Sequence, residues 1–312
     1  MTAPRFSDDT WNYVYSNAQT LSNSYNLQPE DTFNNKINTT LYEDTVRYRG
    51  IDSTFVSLLD KDLSQKLYKE RFANAADFTF FFVGDLDEET LVDLCCYYIG
   101  TMPSDETRET YEERKYNFPS GTREIIKQGQ ENKGQVFIGF GGKLPCTDDV
   151  NQIWKDNEMI EQLRSLLDIR LREVIREDKS GTYGVGVTAG IYGDKERHYE
   201  INISFGCEPE REDELTNEVI SVINSLRTEE VSQAYVDKLH ESWRRSFETN
   251  SRDNWWTLNE LTLLEVWKSR PLVSFSDDYS VISWTTASEL KALANKYLDT
   301  NNYVTFYLQP AE

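Results

Sequence analysis

Histidine is nearly missing from this chain of 312 residues, which has only His198 and His240. Neither has a second histidine three or four residues away. A helical zinc site built on a histidine pair needs two imidazoles on one face, so this spacing excludes one. Each histidine reads as a surface or hydrogen-bonded structural residue. The four cysteines, Cys95, Cys96, Cys146 and Cys207, show no CxxC spacing. Adjacent Cys95 and Cys96 sit in the apolar stretch ETLVDLCCYYIG, so core thiols are the reading, rather than a disulfide framework or a metal site. No apolar run approaches the roughly 20 residues a spanning helix needs, which predicts no membrane insertion. The opening MTAPRFSDDT has no apolar core of a signal peptide. Basic residues are scarce as well, 33 Lys and Arg against 54 Asp and Glu, a net charge of -21. With no local basic patch, nucleic acid and anionic membranes are repelled, whereas peptides of basic or mixed charge are suited as partners. The acidic excess reads as solvated helix faces. The stretch GFGGK at Gly139–Lys143 lacks a GxxxxGK frame and a following Ser or Thr, and no GxSxG elbow occurs.

What is present is enough apolar and aromatic material, 38% and 13% of the residues, for a sizeable core and a length that suggests two domains. Ser7 to about Asn23 carries Trp11, Val14, Tyr15, Ala18 and Leu21 at helical spacing behind cap-like Ser7 and Asp8. Pro29 opens a second helix with Phe33, Ile37 and Leu41 on one side, and Asp60–Phe72 reads as a third. Phe78–Val83, FTFFFV, is short and aromatic and predicts a buried strand, followed by a helix over Glu88–Ile99. The charged stretch Thr101–Tyr116 with Pro103 reads as a linker. Two strands, TREIIKQ and QVFIGF, then precede a long amphipathic helix from Trp154 to about Glu177. Tyr183–Tyr192 and Tyr199–Cys207 alternate apolar and polar residues and predict an antiparallel hairpin. Helices follow near 210–226, 229–249, 255–268 and 286–298, and Tyr303–Leu308 closes the chain as a strand.

An internal repeat underlies this order. ERFANAADFTFFFVG at Glu70–Gly84 aligns with KYLDTNNYVTFYLQP at Lys296–Pro310 at a shift of 226 residues. With nearly the same shift Phe6–Tyr42 falls opposite Val231–Trp267. The second copy has a lead-in of two strands, a long helix and a hairpin that the first copy lacks. The expectation is therefore that the sequence begins in the middle of a domain.

The stretch Leu171–Val187, LREVIREDKSGTYGVGV, sets a charged helix end against a glycine-spaced strand. Gly181 follows the last helical turn, where positive φ is often needed, and Arg176 lies off the apolar stripe of Ile160, Leu163, Leu167, Leu171 and Val174. On spacing alone, a solvated arginine at a helix end and an ordinary strand tyrosine account for Arg176 and Tyr183. The stretch resembles the Arg and Tyr signature of pitrilysin-type (M16) zinc metallopeptidases and processing peptidases, carried here by Ile175, Arg176, Glu177, Lys179, Gly181, Thr182 and Tyr183. YKERFANAADFTFFFVGDLD and NISFGCEPEREDEL are similar to further segments of that family.

The resemblance implies an α+β fold of two related domains, each an antiparallel-rich sheet covered on one face by helices. Residues 1–120 would be the second half of one such domain, its N-terminal part missing, with the linker near 101–120. Residues 121–312 would be a complete domain. It implies peptide-bond hydrolysis, an extended peptide as substrate, and zinc held by an inverted HxxEH motif in an N-terminal half or partner subunit, with no metal ligand on this chain. Tyr183 would donate to the oxyanion, and Arg176 would hold a substrate carbonyl or support the tyrosine. A catalytically inactive M16-like subunit, acting in binding or assembly, fits the same residues. Family members work in periplasm, mitochondria and cytosol alike.

Overall fold

The computed structural model describes residues 4–42, 47–105, 107–119, 121–178, 184–275 and 280–311. Its first third is helical: α1 Asp8–Asn23, α2 Pro29–Leu41, α3 Ser53–Ser57, α4 Lys61–Arg71 and α5 Glu88–Tyr98. The starts follow local chemistry. Ser7, Asp60 and Asp87 each accept a hydrogen bond from the backbone N–H three residues on, and Pro29 occupies the first turn of α2, where its missing N–H costs nothing. Strands β1 Arg123–Lys127 and β2 Gly134–Lys143 come next, then the long helix α6 Val150–Leu171. The hairpin β3 Val185–Tyr192 and β4 His198–Cys207 is followed by α7 Glu212–Thr228, α8 Gln233–Asn250, α9 Asn254–Glu265, α10 Ser280–Trp284, α11 Ala287–Tyr297 and β5 Val304–Gln309.

The five strands form one sheet in the order β1-β5-β2-β4-β3. All neighbours are antiparallel except β1 and β5, which pair parallel from Arg123 opposite Thr305 to Lys127 opposite Gln309. One face carries Val136, Ile138, Phe140, Ile201 and Ile203 against Leu163, Leu167 and Leu171 of α6, Val219 and Ile223 of α7, and Leu290 and Ala294 of α11. Alternation along β2 and β4 puts these residues on one side, as a pleated strand requires. The other face is covered in part by a helix from the first third of the chain. Phe33, Ile37 and Leu41 of α2 cover Val304, Phe306 and Leu308. The reason is that β5 is apolar on both sides and must be buried on both.

The repeat extends to whole elements. Helix α4, Lys61–Arg71, and α11, Ala287–Tyr297, have the same length at the same offset of 226 residues as the aligned strands, each behind a side-chain cap, Asp60 and Thr286. The pairs α1–α2 and α8–α9 stand at nearly that offset. Phe78–Val83, the counterpart of β5, departs from expectation. It belongs to no sheet among the described residues, and Phe80 and Phe82 are 39% and 49% exposed. A strand exists through its ladder, and β5 has β1 on one side and β2 on the other, whereas Phe78–Val83 has neither. Its rings instead continue an aromatic row, Phe6 to Tyr68 to Phe72 to Phe78 to Phe80. The core-thiol reading is also corrected. Cys96 and Cys146 are exposed, and Cys95 and Cys207 are half-buried. Helix α5 leaves Val92, Leu94, Tyr97 and Tyr98 open beside Cys95 and Cys96, so its apolar sequence has no covering layer.

These differences predict a contrast in amide hydrogen exchange. Backbone amides of Thr79–Val83 in the isolated chain exchange like open backbone, while those of Thr305–Leu308, in the middle of the sheet, are protected up to global unfolding. Equal protection of the two segments would contradict the pairing described.

Candidate functional site

Helix α6 does not end where its α-helical hydrogen bonding does. It widens into a π-helical stretch over Arg172–Asp178, a rare geometry found often at functional sites. The buried stripe of α6 continues through Leu171 to Ile175, so the base of the stretch is anchored in the core. Its outer side is held by a polar network. Tyr235 of α8 donates its hydroxyl to Glu173 Oε2 at 2.5 Å and accepts from Arg170 Nη1 at 2.7 Å, and the Arg170 guanidinium lies 5.1 Å from the Tyr235 ring centre. Arg172 is tied to Asp168 at 2.6 Å. Sequence reading missed Arg170, Glu173 and Tyr235. Arg170 and Glu173 share one helix face by spacing, but nothing local signals Tyr235, 62 residues beyond Glu173.

Arg176 has its backbone in this widened stretch, and its side chain lies outside the described residues, as does Tyr183 altogether. The description resumes at Gly184, immediately before β3. Gly184 lines a groove of about 1380 Å³ with Gly134 and Gln135 at the start of β2, Gly206 and Cys207 at the end of β4, and Lys133 in the β1–β2 turn. The groove thus lies at the head of β3, an edge strand whose Gly186 and Thr188 face solvent. The opposite groove wall is positioned by Gly129, where φ is +93° and a side chain would strike Pro29 of α2. Gln128 Nε2 donates to Asn26 O at 3.0 Å, fixing that turn to the first third of the chain.

Beneath the groove lies Glu212, the first residue of α7 and only 2% exposed. Its Oε2 accepts from Gln309 Nε2 at 2.7 Å, while Oε1 has no hydrogen-bond partner among the described residues. A methyl group on Gly134 would collide with it, so glycine there makes room for the carboxyl. Burial raises the Glu212 pKa to about 7, against the opposing hydrogen bond from Gln309. Burial, then the Glu212 charge, pushes the Cys207 thiol up to about 12, which keeps it protonated and unreactive at neutral pH.

Both histidines are engaged in structural contacts. His198 engages Glu196 O through Nδ1 at 2.9 Å and stacks on Tyr116 with ring centres 3.8 Å apart. His240 engages Thr285 O through Nε2 at 2.8 Å. Both hold the hydrogen-bonded structural places expected of them, His240 on helix α8 and His198 on a strand. Among the described residues no three His, Cys, Asp or Glu side chains converge on a metal position. No described helix is long and apolar enough to cross a membrane.

Comparison with known proteins gives these observations a context. Residues 59–242 match the family described as peptidase M16 inactive domain. The chain is 22% identical over 246 residues to a zinc protease PQQL-like protein of Arabidopsis thaliana, covering 75% of this chain and 25% of the relative. It is 25% identical over 203 residues to a probable zinc protease PqqL of Haemophilus influenzae, covering 61% of this chain and 20% of the relative. The chain therefore spans about a quarter or less of the length of these curated relatives. Among solved structures, the periplasmic protease PqqL of Escherichia coli matches with a TM-score of 0.78 at 18% identity, over 97% of this chain and 33% of that one. A peptidase M16 inactive domain from Pseudomonas fluorescens matches with a TM-score of 0.77 at 16% identity, over 99% and 72% of the two chains. These likenesses confirm the α+β fold as that of M16 peptidase domains.

The Glu212 environment makes a pH prediction. Its folded pKa, about 7, lies above the ordinary 4.5, so between these values the folded state holds the proton more tightly than the unfolded state. The stabilisation is complete below about pH 4.5 and is lost as pH rises through 7. Glu212→Gln removes that slope and leaves the variant more stable than the parent at pH 8, by roughly 1–3 kcal/mol. Urea unfolding at pH 5 and pH 8 measures both effects, and an unchanged pH dependence would refute the assignment.

Proposed function

Because the chain belongs to the peptidase M16 inactive-domain family, we propose that it is the zinc-free, substrate-holding part of a zinc metalloendopeptidase. The observation that carries this reading is the groove at the head of edge strand β3, lined by Gly184, the residue that follows Tyr183 in the sequence. An extended peptide lying along β3 adds a strand to the sheet, with main-chain hydrogen bonds supplying affinity. The groove beyond takes its continuing side chains. Tyr183 donates a hydrogen bond to the oxyanion as the tetrahedral intermediate forms. Arg176 holds a substrate carbonyl with two donors of its planar fork. Zinc belongs to another part of the polypeptide or to a partner subunit. The names of the relatives, zinc proteases several times longer than this chain, support that division.

The domain division proposed with this reading places residues 121–312 as one complete module and residues 1–120 as the second half of another. The repeated elements and the unpaired Phe78–Val83 support it. The same unpaired segment favours the second reading, an inactive subunit that serves assembly, because a bare apolar strand is a docking edge.

Kinetics of the zinc-bearing assembly separate the two. Tyr183→Phe should lower kcat roughly 100- to 1,000-fold with little change in KM, the cost of about 2.7–4 kcal/mol for one lost oxyanion donor. Arg176→Lys should raise KM and lower kcat together. The isolated chain should hydrolyse no peptide. A Tyr183→Phe enzyme that keeps its fold and its turnover within about twofold of the parent leaves only the assembly reading.

A further inference from the structure

A second cavity lies at the far end of β3, roughly 25 Å from Gly184 for an eight-residue strand at about 3.3 Å per residue. It is formed where the first third of the chain and the linker meet the sheet face turned away from α6 and α7. Strand β4 carries Glu200 and His198 on that face, two residues apart. The cross-strand neighbours of Glu200 are both glycine, Gly141 on β2 and Gly190 on β3. Tyrosines use the space. A methyl group on Gly141 would strike the Tyr116 hydroxyl, and one on Gly190 the Tyr192 hydroxyl. A third phenol, Tyr42 at the end of α2, donates to Glu200 Oε2.

The other carboxylate oxygen is not so provided for. Among the described residues, the basic group beside Glu200 Oε1 is His198, whose Nε2 lies 3.8 Å away, too far for a hydrogen bond. Glu200 is only 8% exposed. A buried carboxylate with an unused oxygen is costly unless a donor or cation reaches it. Above it is a cavity of about 420 Å³ lined by Tyr42, Tyr48, Tyr116, Tyr192, His198 and Glu200. That volume lies within the range of about 300–1,000 Å³ usual for small-molecule sites. Arg114 and Lys115 also line it but are exposed, so solvent screens their repulsion of a cation at the floor.

We propose that this cavity binds an alkylammonium or guanidinium group, as presented by a lysine or arginine side chain of a peptide. The chemistry follows from the walls. A cation brings several donors to Glu200 Oε1 and to the phenol oxygens and is attracted by the faces of tyrosine rings. An anion would meet the carboxylate, and a neutral apolar group would leave it unpaired. The net charge of -21 draws basic peptides toward the chain. This inference does not depend on the peptidase reading, since neither Arg176 nor Tyr183 takes part.

The test is an NMR titration of the full chain, labelled in its tyrosine rings, with acetyl-lysine amide, acetyl-arginine amide, 1,4-diaminobutane and acetyl-norleucine amide. The three cations should saturate the tyrosine shifts, with the norleucine compound at least about tenfold weaker. Glu200→Gln keeps an acceptor for Tyr42 but loses the charge, and should weaken lysine amide binding about tenfold or more. Glu89→Gln, on the exposed start of α5, should change nothing. Lysine amide binding tighter than the diamine identifies a peptide side chain as the source, and the reverse order supports the same site with free amines as its source. Equal binding of lysine and norleucine amides, no saturation by any cation, or undiminished affinity in a folded Glu200→Gln variant overturns the proposal. Should Glu200→Gln fail to fold, Tyr192→Phe at the exposed rim decides: weaker cation binding with the norleucine contrast intact supports the site, and unchanged binding overturns it.

Discussion

Burial of β5 on both faces is the constraint on which the rest of this structure depends. Val304, Phe306 and Leu308 point one way and Thr305 and Tyr307 the other, all nearly inaccessible to solvent. A strand of that kind needs a neighbour on each edge and a layer on each face. Strands β1 and β2 supply the edges, and α7 and α11 lie on one face. The second face is covered by α2, from the other end of the sequence. That packing joins the first third of the chain to the sheet, and both cavities described above open along the seam. The wall of the groove rests on contacts from Gln128 and Gly129 to the turn before α2, and the floor of the tyrosine cavity is closed by Tyr42 at the end of that helix.

Phe78–Val83 shows the same constraint unmet. Its sequence is as apolar as that of β5, and the helix before it, α4, repeats α11 in length and cap. What differs is that it has no flanking strands among the described residues, so apolar rings that would be buried stand open, together with one side of α5. The segment therefore carries the rings of a β5-like strand without the ladder that buries them there.

Sequence reading reached the parts of the fold that are locally encoded. Helices announced themselves by apolar residues at three- and four-residue spacing and by caps such as Ser7, Asp60 and Thr286, and their ends lie within a few residues of the expected ones. The hairpin β3–β4 was legible from alternation alone, and the family from the segments around Arg176 and Tyr183. What stayed hidden is whatever depends on distant pairing. Whether FTFFFV forms a strand is decided by neighbours, not by its own residues. Tyr235 joins Arg170 and Glu173 only because α8 packs beside α6. Gly141 and Gly190 look like ordinary strand glycines until register sets both against Glu200. Cys95 and Cys96 read as core because apolar sequence usually means burial, and α5 breaks that rule.

The chain carries 54 acidic residues, yet the ones that matter chemically are the few removed from water. Each is treated differently. Glu260 and Glu158 share Arg270, with contacts of 3.2 and 2.7 Å, so one guanidinium offsets part of their charge inside the fold, while burial still raises the Glu260 pKa. Glu212 takes one amide donor, on Oε2, and burial raises its pKa to about 7. Glu200 has one phenol donor, an open cavity over its other oxygen and a histidine just out of hydrogen-bonding reach. A carboxylate can meet burial by pairing, by taking up a proton or by taking a ligand. Of the three sites, only that of Glu200 has a donor on one oxygen, room over the other and aromatic walls, so although burial raises its pKa too, only there does the geometry leave space for a ligand cation.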